Sequence, residues 1–449
     1  MNGYGLVLGG GGAKGGYEIG VWKALKELDI PIKAVAGTSV GALNGAMIVQ
    51  DDYELASELW TSLSIESVIK VEKELAVVNE KNKKSPVVLA AMKNMISSGG
   101  LDVTPLKELL NRIINEKKIR DSQIDLGMVT FSLSDFKPIK VFKSDIPDGK
   151  LVDYLLASSC FPAFKPHEID SKKFIDGGVY DNIPVSLMIE KGIKDIIVVD
   201  ISGLGLVRKI DKKGLNIIEI KNSEDLGGTL DFNGERSKIN IDIGYYDTLK
   251  AFGKLKGSRY YIIPSDEFED KKRHYIDNIG LEEIKKMYNF LGVSLGPKSA
   301  ANSKLILDRI LRTINQYAGQ KLDSYSIFPA MAEITAEQLG IDRRRIYDLN
   351  ELVQEIMKEY DVIKNSADFK EYIKGLTKLI LSRSQLEFDR EIKKTLIEGK
   401  FLISYDPYLY ETNDNIKRFR RFLAVAMPKI LIANMFISLI LSKEDRQGQ

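Results

Sequence analysis

The chain has 449 residues, a hydrophobic fraction of 44% and a net charge of +2 from 65 basic and 63 acidic side chains. Such a length points to two compact units or one large one with an appendage, and the near balance of charge gives no reason to expect a nucleic-acid partner. The single cysteine, Cys160, excludes an internal disulfide, and the N-terminus enters a strand-like run without a basic-then-apolar leader, so an intracellular, cytoplasmic protein is expected.

Short apolar runs alternate with helical patterns from the start. A strand is predicted at Tyr4 to Leu8, a helix at about Glu18 to Leu28, a strand at Ile32 to Ala36 and a helix from Val40 onward. This is the rhythm of an α/β fold, a parallel sheet covered on both faces. Between Ile65 and Gly100 the rhythm lapses into a charged stretch and the amphipathic "VVLAAMKNMI", which fits either a lid or a solvated surface excursion. Further strands are predicted at Leu126 to Leu133, Ile139 to Phe142, Lys173 to Ile175, Asp195 to Ser202, Leu215 to Lys221 and in "RYYIIP" ending at Pro264. After Phe290 to Ser303 the strand signals stop. A boundary is therefore expected near Lys298, dividing an α/β domain (1–298) from a mainly helical C-terminal module (299–449) whose role the sequence leaves open.

Gly10 to Gly15 satisfies G-x-G-x-x-G between a strand and a helix. A dinucleotide fold would need a carboxylate at the end of the next strand, which instead ends "AVAGTSVG". A phosphate loop fails as well, because Gly15 stands after Lys14 where Ser or Thr is required. The second strand leads directly into Gly37-Thr38-Ser39-Val40-Gly41, the G-x-S-x-G of a nucleophile elbow in the strand-turn-helix setting it requires. The two motifs explain each other: acyl transfer builds charge on a carbonyl oxygen, and the bare backbone of Gly10, Gly11 and Gly12 lets N–H donors reach it. Lys14 either adds positive charge to this loop or reaches into solvent.

A serine nucleophile needs a base, and only two histidines are present. His274 would complete the order Ser39, Asp176, His274, yet it sits in the charged "EDKKRHYIDN"; His167 precedes a strand and reads as a surface or rim residue. Asp176, at the tip of an apolar run and followed by Gly177 and Gly178, is the better candidate, although a turn aspartate before a Gly-Gly pair would look the same.

Together these segments resemble the patatin-like phospholipase family over roughly Tyr4 to Ser294. "GGGAKG" at Gly10 to Gly15 resembles its oxyanion loop, Gly37 to Gly41 its nucleophile elbow, and Asp176-Gly177-Gly178 with "NIPV" at Asn182 to Val185 its D-G-G motif. "GLDVTPLKELL" at Gly100 to Leu110 and "ASSCFPAFKP" at Ala157 to Pro166 are secondary matches. The resemblance implies a three-layer hydrolase domain with a Ser39–Asp176 dyad, no cofactor, no metal, and phospholipid or lysophospholipid substrates. It also implies an acyl channel, for which Val87 to Ile96 could supply a wall. An aspartate with an ordinary pKa near 3.9 is a weak base, so burial and direct contact with Ser39 are expected to compensate. The rival classes are a non-catalytic α/β binding protein and a nucleotide-binding protein using the glycine loop.

Near the C-terminus Lys417, Arg418, Arg420 and Arg421 precede an apolar run from Phe422 to Leu441, interrupted by Pro428, Lys429, Asn434 and Ser438. Three readings fit: a buried helical hairpin, an interfacial helix giving peripheral contact of 417–441 with anionic membrane, and a spanning helix. The basic "DRRRIYD" at Asp342 to Asp348 reads as a solvated helix face. Oligomeric state is not readable.

Overall fold

The computed structural model describes residues 3–70, 99–264, 300–318, 324–371, 374 and 414–447. Their contacts divide the chain into two compact units, Met1–Gly253 and Lys254–Gln449.

The first unit is built on strands β1 (Tyr4–Leu8), β2 (Ile32–Thr38), β3 (Asp125–Ser132), β4 (Lys137–Phe142), β5 (His167–Ile169), β6 (Lys172–Asp176), β7 (Asp195–Asp200) and β8 (Asn216–Lys221). They form one sheet in the order β5-β6-β3-β2-β1-β7-β8, with β4 also paired to β3. Pairing is parallel from β3 through β8 and antiparallel where β4, β5 and β6 join. The central strands are buried on both faces and so read as unbroken apolar runs. Within β1, Leu6 and Leu8 pack into one core while Val7 packs into the other, the alternation that a strand imposes.

The first of these cores is closed by α1 (Gly16–Glu27), α2 (Val40–Val49), α3 (Tyr53–Ser62) and α8 (Gly234–Ala251). The second is closed by α7 (Val185–Glu190) through Val185, Leu187 and Met188. Between them in sequence lie α4 (Thr104–Ile113), α5 (Glu116–Asp121) and α6 (Leu151–Ser158). α1 and α8 cross backbone to backbone: a Cβ on Gly20 would lie 1.8 Å from the Ile241 carbonyl oxygen, and one on Gly244 would lie 2.0 Å from that of Tyr17. No side chain fits there, so both positions require glycine.

The second unit comprises β9 (Tyr261–Ile262), α9 (Ala300–Ala318), α10 (Ser324–Leu339), β10 (Ile346–Tyr347), α11 (Leu349–Asn365), α12 (Asp414–Ala426) and α13 (Pro428–Gln447). Tyr260 and Ile262 pack in its core beside Ile310, Ile334 and Phe436, and β9 pairs with β10. For that reason the division falls at Gly253–Lys254 and not near Lys298: the "RYYIIP" strand belongs to the second unit. The "DRRRIYD" run is likewise no helix, since it leads through a turn into β10, with Arg345 paired to Glu351.

The Phe422–Leu441 run is split between α12 and α13, because Pro428 lacks the N–H that would continue the first helix. Leu431, Ile432, Ala433 and Phe436 are buried in the core, whereas Phe422 and Val425 stay exposed. No helix among the described residues is long and apolar enough to cross a membrane. His274, the Val87–Ile96 stretch and most of the Ile65–Gly100 insertion lie outside the described residues.

Candidate active site

Sheet register brings the two candidate residues together. β2 ends with Thr38 opposite Val129 of β3, and Asp176, the last residue of β6, stands opposite the next residue, Thr130. Since β4 occupies the far edge of β3 over the same stretch, β2 and β6 share one edge, end to end. Ser39 therefore leaves β2 directly toward Asp176.

Ser39 takes φ 57° and ψ −128°, outside the favourable regions for a residue with a Cβ. Such a conformation costs on the order of 1–3 kcal/mol and survives only where its surroundings enforce it. Here they do. A Cβ on Gly37 would sit 2.2 Å from the Gly41 carbonyl, and one on Gly41 would sit 2.5 Å from that of Leu8, so the turn can be this tight only with glycine at both places. The Ser39 N–H donates to Ser158 Oγ at 3.1 Å, and Ser158 in turn donates to the Val129 carbonyl at 2.7 Å. Ser39 also stands at the N-cap of α2 yet makes no capping bond through its side chain. Its hydroxyl lies instead beside the Asp176 carboxyl, whose ionised form it favours.

The Asp176 carboxyl is only 4% exposed. Burial pushes it up from 3.8 to about 6, against the opposing pull of the Ser39 hydroxyl and the Gly178 N–H. That N–H donates to Asp176 Oδ1 at 2.8 Å and fixes the carboxylate plane. A Cβ on Gly177 would lie 2.2 Å from the Val129 carbonyl oxygen, and one on Gly178 would lie 2.8 Å from Asn182 Oδ1, which accounts for both glycines after the aspartate.

The glycine loop lies against the same turn. Asn182 grips Gly10 from both sides: its carbonyl accepts the Gly10 N–H at 3.0 Å, and its side-chain amide donates to the Gly10 carbonyl at 3.1 Å. Gly10 thus differs from the expectation of an oxyanion donor, because its N–H is already engaged. Gly11 and Gly12 line the cavity beside Ser39, and among the described hydrogen bonds neither N–H is used. Lys14 Nζ makes an exposed hydrogen bond to the Ser202 carbonyl at 2.6 Å, tying this loop to the segment after β7.

Ser39 and Asp176 open onto a cavity of about 420 Å³ walled by apolar side chains, among them Leu43, Met47, Leu110, Ile113, Phe161 and Phe232. Beneath it Asn44 bridges buried groups, donating to Glu18 Oε2 at 2.7 Å and accepting from Trp60 Nε1 at 2.9 Å. His167 is not among the lining residues; it sits on edge strand β5 with Nε2 3.2 Å from Asp153 Oδ1, its pKa lowered by burial. Cys160 is buried and donates to the Lys165 carbonyl, while its own carbonyl accepts the Asp176 N–H at 2.7 Å. Among the described residues no group of three His, Cys, Asp or Glu side chains is placed to hold a metal ion.

Sequence reasoning missed Ser158 and the grip of Asn182. The signals were present in "ASSCFP" and "DNIPV", but a lone serine or asparagine acquires meaning only once the fold shows what it faces.

A nucleophile-elbow turn, a buried carboxyl beside it and a glycine loop thus meet around an apolar cavity at the ends of strands in an α/β sheet. Residues 6–189 match the family model described as patatin-like phospholipase. Human patatin-like phospholipase domain-containing protein 6 is 30% identical over 200 residues, covering 44% of this chain and 13% of that protein. Lysophospholipase NTE1 of Kluyveromyces lactis is 28% identical over 203 residues, again covering 44% and 13%. The match thus spans about an eighth of the length of these relatives. Among solved structures, VipD from Legionella pneumophila superposes with a TM-score of 0.33 and 14% identity over 98% of this chain and 91% of its own, too loosely to carry structural argument.

Proposed function

We propose that the chain hydrolyses fatty acyl esters of phospholipids or lysophospholipids through an acyl-Ser39 intermediate. The observation that supports this is a strained, cavity-facing serine whose hydroxyl lies close enough to a buried carboxyl to favour its ionised form. Asp176 accepts the Ser39 proton as Oγ attacks the ester carbonyl, and the tetrahedral oxyanion is held by the N–H groups of Gly11 and Gly12, with Gly10 anchoring their loop. The positive end of α2 lies at Ser39 and favours the same charge. Collapse expels the head-group alcohol, which takes the proton from Asp176. Water, deprotonated by Asp176, then attacks the acyl-serine, releases the fatty acid and restores the Ser39 hydroxyl.

Histidine is absent from this scheme because the aspartate compensates in two ways. Burial raises its basicity, and contact with Ser39 makes proton transfer a matter of position. The apolar cavity supports an aliphatic acyl group, each buried methylene contributing about 0.8 kcal/mol.

The direct test is fluorophosphonate labelling followed by mass spectrometry, with Ser39→Ala as control. An adduct on Ser39 that the substitution abolishes is expected. A folded protein that stays unlabelled with and without liposomes overturns the hydrolase reading in favour of a binding protein.

A further inference from the structure

Large apolar side chains on a protein surface ordinarily stand alone. Here Leu204, Leu206 and Val207 are 71%, 64% and 59% exposed within four consecutive residues. Leu204, Gly205 and Leu206 also line the mouth of the cavity that holds Ser39. The chain then continues through Arg208, Lys209, Lys212 and Lys213, all exposed, with Asp211 the one acidic residue among them.

This segment is not loose. The Leu206 N–H donates to the Gly178 carbonyl at 2.9 Å, and its carbonyl accepts the Asn182 N–H at 2.6 Å. Gly203 lies so close to the oxyanion loop that a Cβ there would fall 1.7 Å from the Gly10 carbonyl oxygen. The backbone is therefore pinned to the turn that carries Asp176, while the side chains of Leu204, Leu206 and Val207 remain largely exposed.

We infer that Leu204 to Lys213 is a docking element that seats the mouth of the cavity on an anionic lipid surface. The arrangement fits an interface layer by layer: leucines and valine enter the acyl region, and the cations behind them lie at the height of anionic head groups. An acyl chain drawn from the bilayer would then reach Ser39 along apolar surface without crossing water. The choice of lipid over a protein partner rests on this pairing of an uncovered apolar tip with a basic flank, and on the lipid reading proposed for the adjoining site. The surface is distinct from the C-terminal 417–441 segment singled out by its sequence.

The test is flotation of the full chain carrying Ser39→Ala, which leaves lipids intact, with vesicles of phosphatidylcholine alone or mixed with phosphatidylglycerol. The parent is expected to float with the anionic mixture and poorly with phosphatidylcholine alone. L204S/L206S/V207S and K209E/K212E/K213E, each in that background, are expected to bind the mixture at least about tenfold more weakly, with melting temperatures like the parent's because the altered side chains are exposed. Two folded variants that float as well as the parent overturn the proposal, as does a parent that binds neither vesicle. Concentration-dependent self-association abolished by the apolar triple variant, without vesicle binding, would assign the surface to a second copy and also overturn it. Fluorophosphonate labelling of the unsubstituted chain keeps the two ideas apart: labelling without loop-dependent flotation removes docking alone, and loop-dependent flotation without labelling removes hydrolysis alone.

Discussion

Asp176→Asn should raise stability as it removes activity, and both effects come from one buried charge. Burial lifts the folded-state pKa from 3.8 to about 6, so ionisation at neutral pH opposes the fold. The sign comes from linkage: a carboxyl raised in the folded state lends full stability below its unfolded pKa, and that stability is lost as pH rises through the folded value. The gap between 3.8 and about 6 corresponds to about 3 kcal/mol at pH 8, to about half of that at pH 5, and to very little at pH 4. Asparagine cannot ionise, yet keeps an oxygen for the Gly178 N–H. For a unit of this size the gain at pH 8 is a rise of about 6–12 °C in melting temperature. Scanning fluorimetry of both proteins across pH 4–8, beside turnover of a soluble ester, measures the two effects together. Turnover by the wild type should climb to a plateau through an inflection near the folded-state value, and the variant should lose at least about a thousandfold. A variant no more stable than wild type at pH 8, or with the same advantage at pH 4, would refute the buried-charge reasoning even if activity were lost.

Other substitutions probe separate parts of the site. Asn182→Ala frees the Gly10 carbonyl from its side-chain anchor; kcat should fall by about 10- to 100-fold, with KM nearly unchanged, because the loop matters chiefly in the transition state. Leu43→Trp narrows the cavity and should lower the ratio of long-chain to short-chain ester hydrolysis about tenfold, read by competition between esters. Glu18, fully buried on α1, is pushed up from 4.5 to about 8 by burial, so it contributes a loss of about 1.4 kcal/mol per pH unit across that interval; Glu18→Gln should flatten that part of the stability profile in denaturant titrations. His167→Ala should leave turnover within about threefold and keep the same acid limb, since the ring meets Asp153 and does not line the cavity.

The first unit was legible where local pattern and fold agree. Buried parallel strands show as apolar runs, and β1, β2, β7 and β8 fall within a residue or two of expectation. β5 was not foreseen because its three residues are too short to establish a period, and its pairing with β6 supplies what propensity does not. The division between units was misplaced because "RYYIIP" looks like a continuation of the sheet, whereas Tyr260 and Ile262 pack in the second unit's core. Ser39 and Asp176 could be named from motifs because extreme backbone geometry demands glycines around them. Gly10 as a donor could not be judged that way, since a glycine string does not say which N–H groups have internal partners. The cations of "DRRRIYD" show the limit of charge patterning: a turn feeding a short strand presents the same composition as an exposed helix.

The edge-sharing of β2 and β6 along β3 also bears on when activity can arise. Ser39 and its elbow are synthesised early, but the residue that completes the pair is on a strand made after β3, and the carbonyl that anchors Gly10 comes later still, at Asn182. A nascent chain stopped before that point lacks both Asp176 beside Ser39 and the Asn182 hydrogen bonds to Gly10. On the proposed mechanism, a fragment ending within α6 holds the nucleophile without its base. The same separation permits a cut at the exposed Asp148–Gly149 turn to place the two halves of the dyad on different polypeptides. On the proposed mechanism, neither half alone would carry both catalytic groups.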